Sequence, residues 1–289
     1  MSKKLYRRIF LFAVTMPALL APPAFAEIQE KIVKIPVRVP GPDGAPYQQD
    51  ITLTMVFDDK RKTSPFLILN HGRAVSPQER KNYGRARFTA QSRYFVERGF
   101  AVFMPTRIGY GVTEGPDLEN SGPCTNKNYY ASLAPAVAQA KAVATYAKAQ
   151  SFVDPQRGVL LGQSVGGFTT IGTAAENIPG VRVAINFAGG GGGDPKGRPW
   201  NPCQSDRIAM TFGQYGAKAK TPTLWLYSSN DAYWGPDHPK KWVASYISNG
   251  GKAEYVELPA YGTDGHSSFN GNPDAWKPKV EAFLKKHGF

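Results

Sequence analysis

Ser164 stands in Gly162-Gln163-Ser164-Val165-Gly166, between the apolar run Val159-Leu160-Leu161 and a helix-compatible segment. This G-x-S-x-G string has the layout of a nucleophile elbow, a tight strand-to-helix turn that lifts a serine hydroxyl clear of a sheet. Glycine suits both flanking positions because a side chain there would crowd the turn. Near neutral pH a serine hydroxyl attacks poorly unless a base takes its proton, and that base needs an acid to orient it. The chain must supply both.

It has four histidines: His71, His238, His266 and His287. His287 lies near the end of the last expected helix and reads as a surface residue. His238 opens the helix before it, in a capping or surface position. His266 lies in Gly262-Thr263-Asp264-Gly265-His266-Ser267, directly after the last expected strand. Parallel sheets build their sites from loops at the carboxyl ends of strands, so His266 is the base. Asp231, just past the penultimate strand, is the acid. Asp237 competes but reads as a first-turn helix residue, and Asp264 is too close in sequence to His266 to reach its far nitrogen. The chain order Ser164, Asp231, His266 is that of one known triad architecture. An oxyanion requires donors, assigned to the backbone N–H groups of Val165 and Arg73. His71, beside Arg73, reads as a buried, hydrogen-bonded structural histidine.

The elements that must hold these residues follow from periodicity. Lys31 to Val39 and Ile51 to Phe57 alternate apolar and polar residues like half-buried strands. Phe66 to Leu69, Phe100 to Met104, Gly158 to Leu161, Val181 to Phe187, Thr223 to Tyr227 and Ala253 to Leu258 are the strands that follow. The continuously apolar ones suit burial on both faces. Helices are expected over Phe88 to Arg98, Ser132 to Gln150, Gly167 to Glu176, Pro239 to Ser248 and Pro273 to His287. The stretches Thr106 to Tyr130 and Gly189 to Met210 read as long connections. The pattern is an α/β fold with a mostly parallel sheet of about eight strands and helices on both faces. No repeat or linker divides residues 27–289, which read as one domain.

With these motifs in order, the chain resembles the α/β-hydrolase superfamily, and within it the dienelactone-hydrolase-like and prolyl-oligopeptidase-like serine esterases. Arg107-Ile108-Gly109-Tyr110-Gly111-Val112-Thr113-Glu114-Gly115 is similar to the R-G-x-G-x-S-x-G turn of that superfamily, with Ile108 and Thr113 departing from it. Dienelactone hydrolases proper carry a cysteine nucleophile, whereas this elbow carries Ser164. The resemblance therefore implies hydrolysis of a small-molecule carboxylic ester through an acyl-enzyme, with no cofactor and no metal. A peptidase or amidase would use the same triad, and a binding protein on a hydrolase scaffold is the reading from another class. The last would usually have lost a triad residue, and none is missing here.

Composition sets the context. Lys3, Lys4, Arg7 and Arg8, the apolar run Ile9 to Ala21 and Ala24-Phe25-Ala26 form a secretory signal cleaved before Glu27. Arg7-Arg8 also fits a twin-arginine signal, though adjacent arginines are common in ordinary leaders. The expected location is periplasmic or secreted, with no stable membrane anchor after cleavage. Net charge is +13, and Arg73, Arg80, Lys81, Arg85, Arg87, Arg93 and Arg98 cluster. They read as a solvated basic face, since no nucleic-acid motif stands beside them. Cys124 and Cys203 are the two cysteines, and an even pair in an oxidising compartment points to a disulfide. That bond would tie together the two long connections, which are placed to wall a pocket. Tyr110, Trp200, Tyr233 and Trp234 are the candidate lining residues. Nothing in the chain fixes its oligomeric state.

Overall fold

A computed structural model describes Met1 and residues 28–41, 44–74 and 76–289. Apart from Met1, the expected leader (residues 1–26) lies outside the described residues, as does Glu27. No helix among the described residues is long and apolar enough to cross a membrane.

The chain opens with β1 (Ile28–Pro40) and β2 (Pro46–Asp58), a long antiparallel pair. Next come β3 (Ser64–Asn70), the short helix α1 (Pro77–Lys81), α2 (Thr89–Glu97), β4 (Ala101–Thr106) and α3 (Tyr129–Lys148). The second half runs β5 (Val153–Gln163), α4 (Val165–Ala174), β6 (Val181–Phe187), α5 (Ser205–Gly216), β7 (Thr223–Ser228), α6 (His238–Ser248) and β8 (Ala253–Leu258), and ends in α7 (Ser268–Gly271) and α8 (Pro273–Lys286). The eight strands form one sheet in the order β1-β2-β4-β3-β5-β6-β7-β8. β2 meets β4 antiparallel, and every pairing beyond β4 is parallel.

Alternation along the strands divides the core. Leu67, Leu69, Val159, Leu161, Val183 and Ile185 face α2 and α8, where Phe95, Trp276 and Phe283 meet them. The intervening Phe66, Ile68, Leu160 and Ala184 face α3, through Val143, Ala144 and Ala147. Further along that second face, Trp225 and Tyr227 pack with Phe168, Phe212 and Trp242 of α4, α5 and α6. Burial on both faces is why β3 to β7 read as unbroken apolar runs.

Three helices, α1, α5 and the one-turn α7, lie inside expected connections. α1 begins with a capping box, in which Ser76 accepts from the Glu79 amide and Glu79 reaches back to the Ser76 amide. α5 begins at Ser205 within the second connection, so that connection ends earlier than expected. The expected start of α3 at Ser132 also moves, because Asn128 caps a helix that already begins at Tyr129. The cysteines form the disulfide Cys124–Cys203, joining the chain before α3 to the chain before α5.

The basic cluster is in part the solvated face that composition suggests: Lys81, Arg87, Arg93 and Arg98 are exposed, whereas Arg73, Arg80 and Arg85 are largely buried. Arg73 and Arg80 pair with Asp117, Arg85 and Arg87 with Glu30, Arg93 with Glu97, and Arg98 with Glu281. Apart from Glu97, one helical turn from Arg93, these carboxylates are distant in sequence, and a count of like charges along the chain cannot register them.

Candidate active site

Ser164 sits between the end of β5 and the first residue of α4, with φ 57° and ψ −129°. A non-glycine residue in that region costs about 1–3 kcal/mol and persists only where its surroundings impose it. Here they do. The Ser164 amide donates to Phe187 O at the end of β6 (2.9 Å), and its carbonyl accepts from Phe168 N in α4 (3.0 Å). The flanking glycines are required by contact: a Cβ on Gly162 would lie 2.2 Å from the Gly166 carbonyl oxygen. One on Gly166 would lie 2.2 Å from the carbonyl oxygen of Asn70, the last residue of β3. The elbow is thus wedged against the strand that leads into His71-Gly72-Arg73.

At Gly72 a Cβ would stand 3.2 Å from Ser164 Cβ and 3.7 Å from its Oγ, so this backbone borders the serine directly. The same loop is held from behind. Arg107, fully buried, donates to the carbonyls of His71 (2.6 Å) and Gly72 (3.2 Å) and ion-pairs with buried Glu119. His71 Nδ1 donates to Gly72 O (2.7 Å), and its Nε2 accepts from the Arg107 amide (3.1 Å). Burial and the neighbouring Arg107 charge push the His71 pKa well below the ordinary imidazole value, so the ring is neutral. The Arg73 side chain makes two bonds to Asp117 (2.8 and 2.6 Å). Burial works against the Asp117 carboxylate, but Arg73 and Arg80 hold its pKa below the usual range.

Asp231 follows β7 in a turn and is fully buried. Its Oδ1 accepts from the amides of Tyr233 (2.9 Å) and Trp234 (3.2 Å), and its Oδ2 from His266 Nδ1 (2.9 Å). That bond puts the Nδ1 proton on the Asp231 side and leaves the Nε2 lone pair free to accept. The Tyr233 ring stacks on the His266 ring at 4.0 Å, and Trp234 meets it edge-on at 5.4 Å. Gln163, the residue before the serine, donates from Nε2 to the His266 carbonyl (2.9 Å). Ser164 Oγ has no hydrogen-bond partner among the described residues; such contacts commonly tighten only around a substrate.

Strands of one mostly parallel sheet, with α4 on one of its faces, and a serine turn backed by the end of β3 decide the architecture. This is the α/β-hydrolase fold. Solved structures share it: a candidate dienelactone hydrolase from Klebsiella pneumoniae subsp. pneumoniae is 15% identical with a TM-score of 0.55, over 88% of this chain and 99% of that one. An acetyl xylan esterase from Paenibacillus sp. R4 is 15% identical with a TM-score of 0.58, over 91% and 89%. A puromycin-hydrolyzing peptidase from Mycobacterium tuberculosis is 17% identical with a TM-score of 0.56; 89% of this chain matches 39% of that longer one. No protein-family model matches this chain, and no curated protein matches it.

Within this α/β-hydrolase fold the remaining candidates separate. Tyr110 is 1% exposed and donates its hydroxyl to Glu119 (2.9 Å), so it supports the Arg107 cluster and is corrected from a lining residue to a framework one. Trp234 is likewise 1% exposed, with its indole N–H donated to Ala188 O (2.7 Å). Tyr233 is half-buried over His266, and Trp200 is 59% exposed with its amide bonded to Ala232 O (2.9 Å). Val165 opens α4 beside the serine, where the helix N-terminus leaves amides unpaired. Thr113 donates to Thr106 O (2.6 Å) and accepts from the Thr52 amide (3.0 Å), so a hydroxyl braces that turn although it belongs to threonine. Among the described residues no group of three or more His, Cys, Asp or Glu side chains is arranged to hold a metal ion. A groove of about 370 Å³ at the amino ends of β7 and β8 contains none of these residues.

Sequence reasoning missed Arg107, Glu119 and Gln163. Arg107 opens the Arg107–Gly115 turn motif, which was its signal. Gln163 stood in the elbow string, but at a position that any residue can fill, and Glu119 carried no signal, because the partners of both are distant in sequence.

Proposed function

We propose that this chain is an exported serine hydrolase acting on carboxylic esters. The observation that carries the reading is the buried Asp231 carboxylate bonded to His266 Nδ1 (2.9 Å), on a loop tied to the elbow that strains Ser164. Ser164 Oγ attacks the ester carbonyl while His266 Nε2 takes its proton. Asp231 holds the imidazole tautomer and stabilises the imidazolium. The amides of Val165 and Arg73 receive the oxyanion, and the alcohol leaves with the proton that His266 returns. Water then repeats the sequence on the acyl-enzyme. Tyr233 and Trp200 flank the entrance in this reading and favour acyl or alkoxy groups with a flat or apolar face.

Replacing Ser164 by alanine removes the attacking atom. The expected loss in kcat on p-nitrophenyl acetate is about 10⁴-fold or more, together with loss of covalent labelling by a fluorophosphonate. A folded Ser164→Ala protein that hydrolyses short acyl esters at the wild-type rate would sink the reading. Peptide or amide cleavage is the second reading, favoured by the fold shared with a puromycin-hydrolyzing peptidase, although this chain matches only 39% of that one. Rates on a matched ester and anilide separate the two.

A further inference from the structure

The loop carrying His266 is joined to the loop carrying Asp231 by more than the imidazole itself. Asp264 Oδ1 accepts from the His266 amide (2.9 Å) and from the Ala232 amide (2.9 Å). One carboxylate oxygen therefore grips the backbone of the base and the backbone of the residue after the acid. We propose that Asp264 is a positioning residue, a brace that fixes the imidazole of His266 between Asp231 and Ser164; this rests on the reading of those three residues as a catalytic triad.

Asp264 also caps the short helical turn Gly265–Ser267, and capping alone would account for the bond to His266 N. It does not account for the second bond, to an amide 32 residues away in another loop. Nor is Asp264 an alternative acid, because its bonds run to backbone amides and the Nδ1 proton goes to Asp231. The two loops do touch elsewhere. Asn230 bonds the backbone of Tyr261 (3.0 Å) and Gly262 (3.1 Å), and a Cβ on Gly265 would fall 2.4 Å from Asn230 Oδ1. A backbone bond from Gly265 N to Asn230 O (3.2 Å) joins the loops as well, one residue short of both the base and the acid. Among the described residues, Asp264 is the one whose side chain bonds both His266 itself and the residue adjoining Asp231. Together with the Gly265–Asn230 bond it holds the separation on which the 2.9 Å imidazole–carboxylate bond depends. Gln163 supplies the matching tie to the nucleophile side through the His266 carbonyl (2.9 Å). A carboxylate accepting two N–H groups is a stronger and stiffer acceptor than a neutral oxygen, but an amide oxygen retains the geometry.

The test compares the full chain with Asp264→Ala and Asp264→Asn. The first readout is the low-field proton resonance of His266 Nδ1–H, assigned by its loss in His266→Gln. The others are kcat and KM on p-nitrophenyl acetate. Asp264→Ala should lose or broaden the resonance and lower kcat about 10²-fold, the scale of a misplacement near 1 Å, with KM nearly unchanged. Asp264→Asn should keep the resonance and most of kcat. An Asp264→Ala protein that retains both, or an Asp264→Asn protein that loses as much as the alanine variant, overturns the proposal. Should Asp264→Ala fail to fold, hydrogen exchange at the wild-type Ala232 amide decides: slow exchange is expected, and exchange at the rate of an open loop overturns it. If the wild type hydrolyses no ester, the serine-hydrolase reading fails, while the resonance still reports on the brace.

Discussion

The residues around Ser164 are specified by what they touch more than by what they are. His71 is the clearest case. Its ring is buried and neutral, donating to Gly72 O and accepting from the Arg107 amide. Its pKa in the fold is pushed well below 6.5, so the unfolded chain binds that proton more readily. Its contribution to stability is therefore complete above about pH 6.5 and is lost as pH falls further, toward the folded-state pKa. Urea midpoints at pH 7.5 and pH 5 should show the wild type losing more stability on acidification than His71→Gln. The lowered pKa of His238 persists in both proteins and cancels in that comparison. An equal loss in the two would remove His71 from the account. Residue type and place after a strand were enough to mark Ser164, Asp231 and His266 in the sequence as a candidate site. Gln163, Asp264 and Arg107 were not legible in that way, because each bonds a backbone group of another loop, and any residue can present a carbonyl or an amide.

Among the elements, β6 and β8 coincide with their expected ranges, because β-branched and aromatic residues there are bounded by turn residues. α5 was missed for a physical reason. It begins after Gln204, which is left-handed (φ 48°) and makes no side-chain cap, so no capping signal marks its start. Its apolar positions Ile208, Phe212 and Tyr215 do follow helical spacing, but a glycine-rich stretch precedes them and masks the change of period. The elbow, by contrast, is overdetermined. A Cβ on Gly162 would press to 2.2 Å from a backbone oxygen and 2.6 Å from Thr170 Oγ1, and the backbone atom cannot rotate away. Gly162→Ala should destabilise the fold by about 1–3 kcal/mol and lower activity with it. A denaturant midpoint equal to that of the wild type would mean that the elbow relaxes more freely than its contacts allow.

At the scale of the whole molecule, one sheet gathers residues from the ends of β3, β5, β7 and β8 at a single edge, and a disulfide ties the two longest connections. Cys124 and Cys203 are 79 residues apart. Closing a ring of that size in the unfolded chain stabilises the fold by about 4.5 kcal/mol on the loop-entropy scale. Thermal melts with and without reductant, and of Cys203→Ser, should place the crosslinked protein clearly higher; coincident curves would show that the bond contributes nothing. That ring encloses the run Gly189 to Gly193. In the folded protein the run is packed bare against Trp234, Trp242 and Tyr129, and Gly190 N bonds Ser164 O. Before folding, five successive glycines make it the most freely wandering stretch of the chain. The crosslink therefore narrows the denatured ensemble of a ring that includes the backbone most expensive to order beside Ser164. Once the cysteines are joined, the segment next to Ser164 finds its path from a narrower set of starting points.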